Sequence, residues 1–413
     1  MEVNYLEKFF ILIFPISFII CVRYKKYDFE KKLMRYIKIN QRQLKINNYE
    51  EKLFSIIKYV DFLKNSKYIF SYKKVKSPKV SFITTIFNQE NYLSNFIFSV
   101  QNQKLKDFEF IFIDDCSTDK GITIIRKIEK KDKRIKLIKN KKNMGTLYSR
   151  YIGELNANSK YIIFIDCDDF VLEDGIFNSY KYIKTNNIDI IQFHSVWQDA
   201  NKISINNFSY NYKKTIYQPY LSYIFYYNNK YKKGDESNYA LWNKLIKKQI
   251  VNKAFKWIGE KYLKKKIIAH NDLIILFSLL KNACSYKYID EIGYYYYYKL
   301  SKNSASNSWK NYAKSNQIVH GLFTNILFLY EKTGNTYLDK YFCIFKIKNY
   351  YKQYNQLFKY LNKKELVYIT RIFNKLIGSD YISVKDKAYI IMFKSLILKK
   401  KETQNNLSNF IAK

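Results

Sequence analysis

From residue 80 onward the apolar residues switch repeatedly between two spacings. "VSFITTIF" is a β-branched and aromatic run, which predicts a strand. "NYLSNFIFSVQ" after it sets Tyr92, Leu93, Phe96, Ile97 and Val100 on one helical face. "FEFIFI", residues 108–113, predicts a second strand, "IRKIEKK" a helix and "RIKLIK" a short strand. "TLYSRYIGEL" aligns Leu147, Tyr148, Tyr151, Ile152 and Leu155, and "YIIFI" and "IDIIQFH" predict two more strands. Strands alternating with helices imply an α/β fold with a mostly parallel sheet covered on both faces. The unbroken apolar runs agree, since a strand buried on both sides needs no polar face.

The flanks have a different pattern. "FFILIFPISFIICV", residues 9–22, carries no charge and is followed by "RYKK". As a helix, its 14 residues reach about 21 Å, short of the roughly 30 Å of bilayer hydrocarbon. Pro15 would kink it. No Ala-x-Ala-type site follows, which argues against a cleaved secretory signal. A short anchor, an interfacial helix and a helix buried in protein all fit. Arg23, Lys25 and Lys26 would hold the following chain on the cytoplasmic face of the plasma membrane. Residues 23–78 are basic, with helical spacing in "EEKLFSIIKYVDFL", and read as a helical linker. The chain then divides into a main domain at 79–305 and a C-terminal helical region at 306–413, which the spacing expects to pack on that domain.

Composition narrows the partners. The 413 residues carry a formal net charge of +38, which suits an anionic partner such as a phosphorylated substrate or an anionic membrane surface. Nucleic acid would also suit the charge, but no recognised nucleic-acid-binding motif is present, so no nucleic-acid partner is expected. The five Cys show no Cys-x-x-Cys spacing, which argues against a disulfide framework or a zinc ribbon and for a cytoplasmic setting. The three His, at 194, 270 and 320, are scattered.

The chemistry concentrates in acids. "FIDDCSTD" ends one predicted strand at Asp114 and Asp115, and "FIDCDD" ends another at Asp166, Asp168 and Asp169. In an open parallel sheet all strand C-termini lie on one edge, where ligands bind. Asp166 and Asp168 are two apart and leave an extended segment on the same side. Carboxylates this close repel, and Mn²⁺ or Mg²⁺ relieves that while adding substrate phosphates to its shell. No Gly-x-Gly-x-x-Gly follows a strand, and no Gly-Lys-Ser/Thr phosphate loop occurs. "DCDDF" partly matches haloacid-dehalogenase phosphatases, but Phe170 stands where they have Thr or Val, and the strand is the fourth rather than the first.

Taken in order, the motifs resemble glycosyltransferase family 2, over about residues 78–305. "VSFITTIFNQENYL" is similar to that family's opening strand and loop, with Thr85 where Pro is usual. "IDDCSTD" resembles its Asp-Asp-Gly-Ser-Thr-Asp element, with Cys116 for Gly. "NMGTLYSRYIG" keeps Asn143, Gly145 and Arg150 of an Asn-x-Gly and Ala-Arg-Asn stretch, with Tyr151 for Asn. "DCDD" resembles the Asp-x-Asp motif, "LWNKLIKK" a Trp-Asn/Gly-Lys-Leu element, and "HNDLIILFSLL" the Glu-Asp-Leu helix, with Asn271 for Glu.

The resemblance implies a GT-A fold and an inverting, metal-dependent sugar transferase. Asp115, with Thr85 nearby, would hold the nucleotide base, and Asn88, Asn143 and Gly145 would complete the nucleotide-sugar site. Asp166 would lie at the ribose or sugar and, with Asp168, on Mn²⁺ or Mg²⁺. Arg150 would meet the diphosphate. Trp242 would stack on a sugar or join the core, and Lys244 would meet phosphate or solvent. Asp272 would be the general base or merely cap its helix, and Asp114 and Asp119 would cap turns. The implied partners are a nucleotide-sugar donor and a glycan or glycolipid acceptor of surface polysaccharide or lipopolysaccharide assembly. Two other readings stay open: a basic nucleic-acid binder, and a degenerate transferase fold acting as a membrane scaffold.

Overall fold

The computed structural model describes residues 56–60, 63–64, 71–198, 203–206, 215–218, 221, 240–267, 271–297, 312–332, 367, 370–375 and 391. The apolar segment at 9–22, most of the expected linker and much of the C-terminal region lie outside the described residues.

The strands are β1 (Val80–Ile86), β2 (Phe108–Asp114), β3 (Ile135–Lys139), β4 (Tyr161–Asp166), β5 (Phe170–Val171), β6 (Ile190–Gln198), β7 (Ile203–Asn206), β8 (Ile216–Tyr217), β9 (Lys244–Lys247) and β10 (Ser285–Tyr297). The helices are α1 (Glu90–Gln101), α2 (Gly121–Lys131), α3 (Thr146–Leu155), α4 (Glu173–Asn186), α5 (Lys248–Ile258), α6 (Glu260–Leu263), α7 (Asn271–Asn282) and α8 (Tyr312–Lys332). One sheet runs β3-β2-β1-β4-β9-β6-β10-β5, with β7 on β6 and β8 on β10. The β3-β2-β1-β4 half is parallel throughout. Short β9 runs antiparallel to both β4 and β6, so the sheet is mixed.

Side-chain alternation along each strand builds two cores. On one face Phe82, Phe108, Phe110 and Phe112 meet Leu93, Phe96, Ile97 and Val100 of α1, with Ile125 and Ile128 of α2. Phe96 packs edge-on to Phe110 at 5.6 Å and to Phe112 at 6.3 Å, the offset geometry that aromatic rings favour. On the other face Phe164 of β4 packs on Phe255 of α5, and α3 lies over β1 and β2. Each fully buried side chain of this size contributes about 1.5–3 kcal/mol.

The two flanks join this body. Val60 and Leu63, from the end of the segment read as a linker, pack with Phe98, Phe170, Leu172, Val196 and Tyr295. Phe328 of α8 packs edge-on to Tyr262 at 4.9 Å and Trp257 at 5.7 Å, while Glu331 accepts from the Tyr262 hydroxyl at 2.6 Å. This part of the C-terminal region therefore packs on the domain. Among the described residues no helix is long and apolar enough to cross a membrane.

Candidate active site

Register places the two acid clusters. β1 pairs with β2 so that Ile86 faces Asp114, and with β4 so that Thr85 faces Asp166. Both clusters therefore leave neighbouring strands at one edge, on either side of the β1 loop.

The β2 cluster organises loops. Asp114 accepts from the Ser117 amide at 3.0 Å, and Asp119 from the amides of Glu90 at 2.8 Å and Gly121 at 3.0 Å, so both cap turns. Asn88, at φ +56°, accepts from the Thr118 amide at 2.8 Å, which ties the β1 loop to the β2 loop. Cys116 sits at φ +68°, a left-handed position that is cheap for Gly and strained for Cys. That conformation explains why the resembling motif carries Gly there.

Asp115 is 5% exposed, and its carboxylate clamps the loop before α3. One oxygen accepts from the Asn140 side chain and the Met144 amide, both at 2.8 Å, and the other from the Gly145 amide at 2.7 Å. Gly145 has φ +85° and ψ 167°, a region open essentially to Gly alone. A Cβ there would also lie 3.3 Å from the Ile267 carbonyl. Asn143 lies beside this turn, partly exposed.

Arg150 of α3 joins the second cluster to α7. Its side chain is 5% exposed. The guanidinium donates to Asp166 at 3.1 Å, to Asn271 at 2.7 Å, and to Asp272 in a short ion-paired hydrogen bond. Burial pulls the Arg150 pKa down, but Asp272 and Asp166 outweigh it and leave it raised. The Asp166 carboxyl is pushed up to about 6, first by burial, then by Asp272 and Asp168, against the pull of Arg150. Burial also raises Asp168. Asp272 sits in the first turn of α7, with its side chain 28% exposed.

The turn after β4 is held from behind. The Tyr294 hydroxyl donates to Asp169 at 2.8 Å and accepts from the Asp166 amide at 3.2 Å. Asp169 is 2% exposed, so it braces the turn from within. The Tyr294 ring stacks on Trp242 at 4.6 Å and 13°, and Tyr296 lies 5.5 Å from Trp242 at 12°. Trp242, 5% exposed, is thus part of the aromatic core behind the acid turn, where a sugar has no access to its face. Lys244 is also corrected: it meets neither phosphate nor solvent. It is fully buried, and its ammonium donates to the Ala240 carbonyl at 2.6 Å and to Asn243 at 2.8 Å.

Tyr294 escaped sequence reading. The run "GYYYYYK" suggested no element, and the pairing of β10 with β6 and with β5 brings its second residue under the turn.

Asp168 is partly exposed and forms no ion pair among the described residues. No cluster of three His, Cys, Asp or Glu side chains among them could cage a metal alone. Such a donor set fits Mn²⁺ or Mg²⁺, which need one or two protein carboxylates when phosphates and water fill the remaining positions.

A mixed sheet between helical layers, with its acids at the carboxyl edge of the parallel half, defines a GT-A fold. Residues 81–255 match the glycosyl transferase family 2 profile, so this domain of the chain is similar to that family. An uncharacterized glycosyltransferase of Haemophilus influenzae is 40% identical over 111 residues, 27% of this chain; the match spans 44% of that relative's length. A cholesterol galactosyltransferase of Borreliella burgdorferi is 26% identical over 323 residues, covering 76% of this chain and 84% of the relative. Residues 1–349 of TarS from S. aureus, solved in complex with UDP-GlcNAc, superpose with a TM-score of 0.54 at 15% identity, over 79% of this chain and 92% of that one. At that identity the likeness is one of fold.

Proposed function

We propose that the chain is an inverting, metal-dependent glycosyltransferase. It moves a sugar, a hexose or a related one, from a nucleoside-diphosphate donor to a hydroxyl of a glycan or glycolipid, at the cytoplasmic face of the plasma membrane or in the cytoplasm. One observation carries the reading: a single guanidinium, Arg150, holds both Asp166 of the acid turn and Asp272 of α7. A donor-side carboxylate and a second carboxylate from another element therefore meet at one guanidinium. The UDP-GlcNAc complex of TarS supports the donor class, and the cholesterol galactosyltransferase supports a lipid acceptor.

Asp115 shapes the 140–145 loop that borders the nucleotide, and Asp168 would hold Mn²⁺ or Mg²⁺ against the diphosphate. The cation would stabilise negative charge developing on the leaving group. Asp272 takes the proton of the acceptor hydroxyl as its oxygen attacks the anomeric carbon. Arg150 fixes Asp272 relative to the acid turn, and one displacement inverts the configuration.

The test is a panel of nucleotide-sugars with Mn²⁺, Mg²⁺ or EDTA, scored for nucleoside diphosphate release, run beside Asp168→Ala. The expected outcome is metal-dependent release that Asp168→Ala abolishes while it stays folded. Release that EDTA and the substitution leave unchanged would remove the metal from the mechanism. No release from any donor would favour the scaffold.

A further inference from the structure

The basic charge of this chain is not evenly spread. From Arg126 to Lys142, ten of 17 residues are Lys or Arg and two are acidic, a net +8. The chain average of +38 over 413 residues would give such a window about +1.6, so biased composition does not account for it. The structure then removes the neutralised members. Arg134 is buried and paired with Asp132, and Arg126 pairs with Glu129. The other eight are exposed, and none forms an ion pair among the described residues.

We infer that this basic rim, wrapped round the outer β3 edge of the sheet, is a docking surface for an anionic lipid bilayer. Lys127, Lys130 and Lys131 occupy the outer face of α2, Lys133 the turn, and Lys136 and Lys139 the edge strand. Among the described residues β3 pairs only with β2. Lysine on an edge strand blocks sheet-to-sheet association, which would explain Lys136 and Lys139 alone. It leaves the helix and turn lysines unexplained.

The chemistry favours lipid over nucleic acid. Single-stranded nucleic acid is gripped by basic grooves interleaved with aromatic platforms. Residues 126–142 contain no aromatic residue in a chain that is 19% aromatic. An anionic bilayer asks only for clustered charge on an accessible surface, each Lys near it strengthening partitioning about fivefold. The β3 C-terminus leads directly into the 140–145 loop clamped by Asp115, so docking here would place the donor edge beside the membrane. That orientation rests on the proposed transfer to a glycolipid; binding itself does not.

The test is co-sedimentation of the full chain with phosphatidylcholine vesicles, with and without phosphatidylglycerol, beside a Lys127→Glu, Lys130→Glu, Lys131→Glu, Lys133→Glu variant. Wild type should bind the phosphatidylglycerol vesicles preferentially and lose that preference in high salt. The variant should partition at least about 100-fold more weakly, with nucleotide-sugar turnover in solution unchanged, since none of the four touches the donor loop. The matching Lys→Gln set, checked by thermal melting, should show the same loss if the charge-reversed protein misfolds. Unchanged partitioning of the variants would overturn the inference and move membrane attachment elsewhere, to residues 9–22 first. Stronger binding to RNA than to vesicles at equal ionic strength, lost in the variants, would overturn it in favour of nucleic acid. Lysine-dependent vesicle binding by a chain that turns over no donor would sink the transferase reading alone.

Discussion

Replacing Arg150 with Met removes one charge from the centre of the site and keeps most of the side-chain volume. Arg150 is 5% exposed and serves three acceptors: Asp166, Asn271 and Asp272. Without it, two carboxylates face each other with no counter-charge. Removing one partner of a fully buried pair costs about 3–5 kcal/mol. Here the side chains of Asp166 and Asp272 remain 34% and 28% exposed, so water screens part of the loss. The low end, about 3 kcal/mol near pH 7.5, is therefore expected, lowering the melting midpoint by roughly 6–12 °C. The pH dependence identifies the cause. The Asp166 carboxyl is already pushed up to about 6 with Arg150 in place, first by burial, and loses a stabilising partner in the variant. A raised acid pKa means that the folded state binds the extra proton, so stability rises as pH falls from 7 toward 5 and falls as pH climbs back through the folded pKa. Melting curves of both proteins between pH 5 and 7.5 should thus converge toward acid. A deficit equal at pH 5 and pH 7.5 would mean that Arg150 acts through packing, and the electrostatic account would be wrong.

Asp272→Asn preserves shape and should lower sugar transfer by roughly 10²- to 10⁴-fold while calorimetry still shows metal-dependent binding of nucleoside diphosphate; transfer near the wild-type rate would reduce Asp272 to a helix-end residue. Tyr294→Phe keeps the Trp242 stack and removes only the hydroxyl bridging Asp166 and Asp169, so stability should drop by about 1–3 kcal/mol because Asp169 is left without that donor. Its affinity for Mn²⁺ with nucleoside diphosphate should weaken several-fold, and an unchanged affinity would show that the turn holds its shape alone. Cys116→Gly should stabilise the protein by about 1 kcal/mol in denaturant unfolding, because φ +68° costs a non-glycine residue roughly that much. A destabilised variant would mean that the thiol contact with the Asn140 carbonyl outweighs the backbone strain.

The sequence by itself determined what depends on neighbours along the chain. Apolar runs and 3.6-residue spacing placed β1 to β4 and α1 to α3 within a residue or a few of where they lie, because burial imposes those periods locally. The same reading set both acid clusters on one sheet edge, since parallel strands share their carboxyl ends, and the register bears this out. What the side chains do there came only from contacts across long separations. Arg150 reaches Asp272, 122 residues away, and Tyr294 reaches Asp166, 128 residues back. No periodicity encodes such a meeting; it follows from the pairing of β10 with β6 and β5 and the placement of α7 against α3. Burial decided the remainder. "LWNKL" presents an aromatic and a cation that could equally serve a ligand, and only the packed fold turns Trp242 into the wall behind the acid turn and closes Lys244 in among its own loop's carbonyl oxygens.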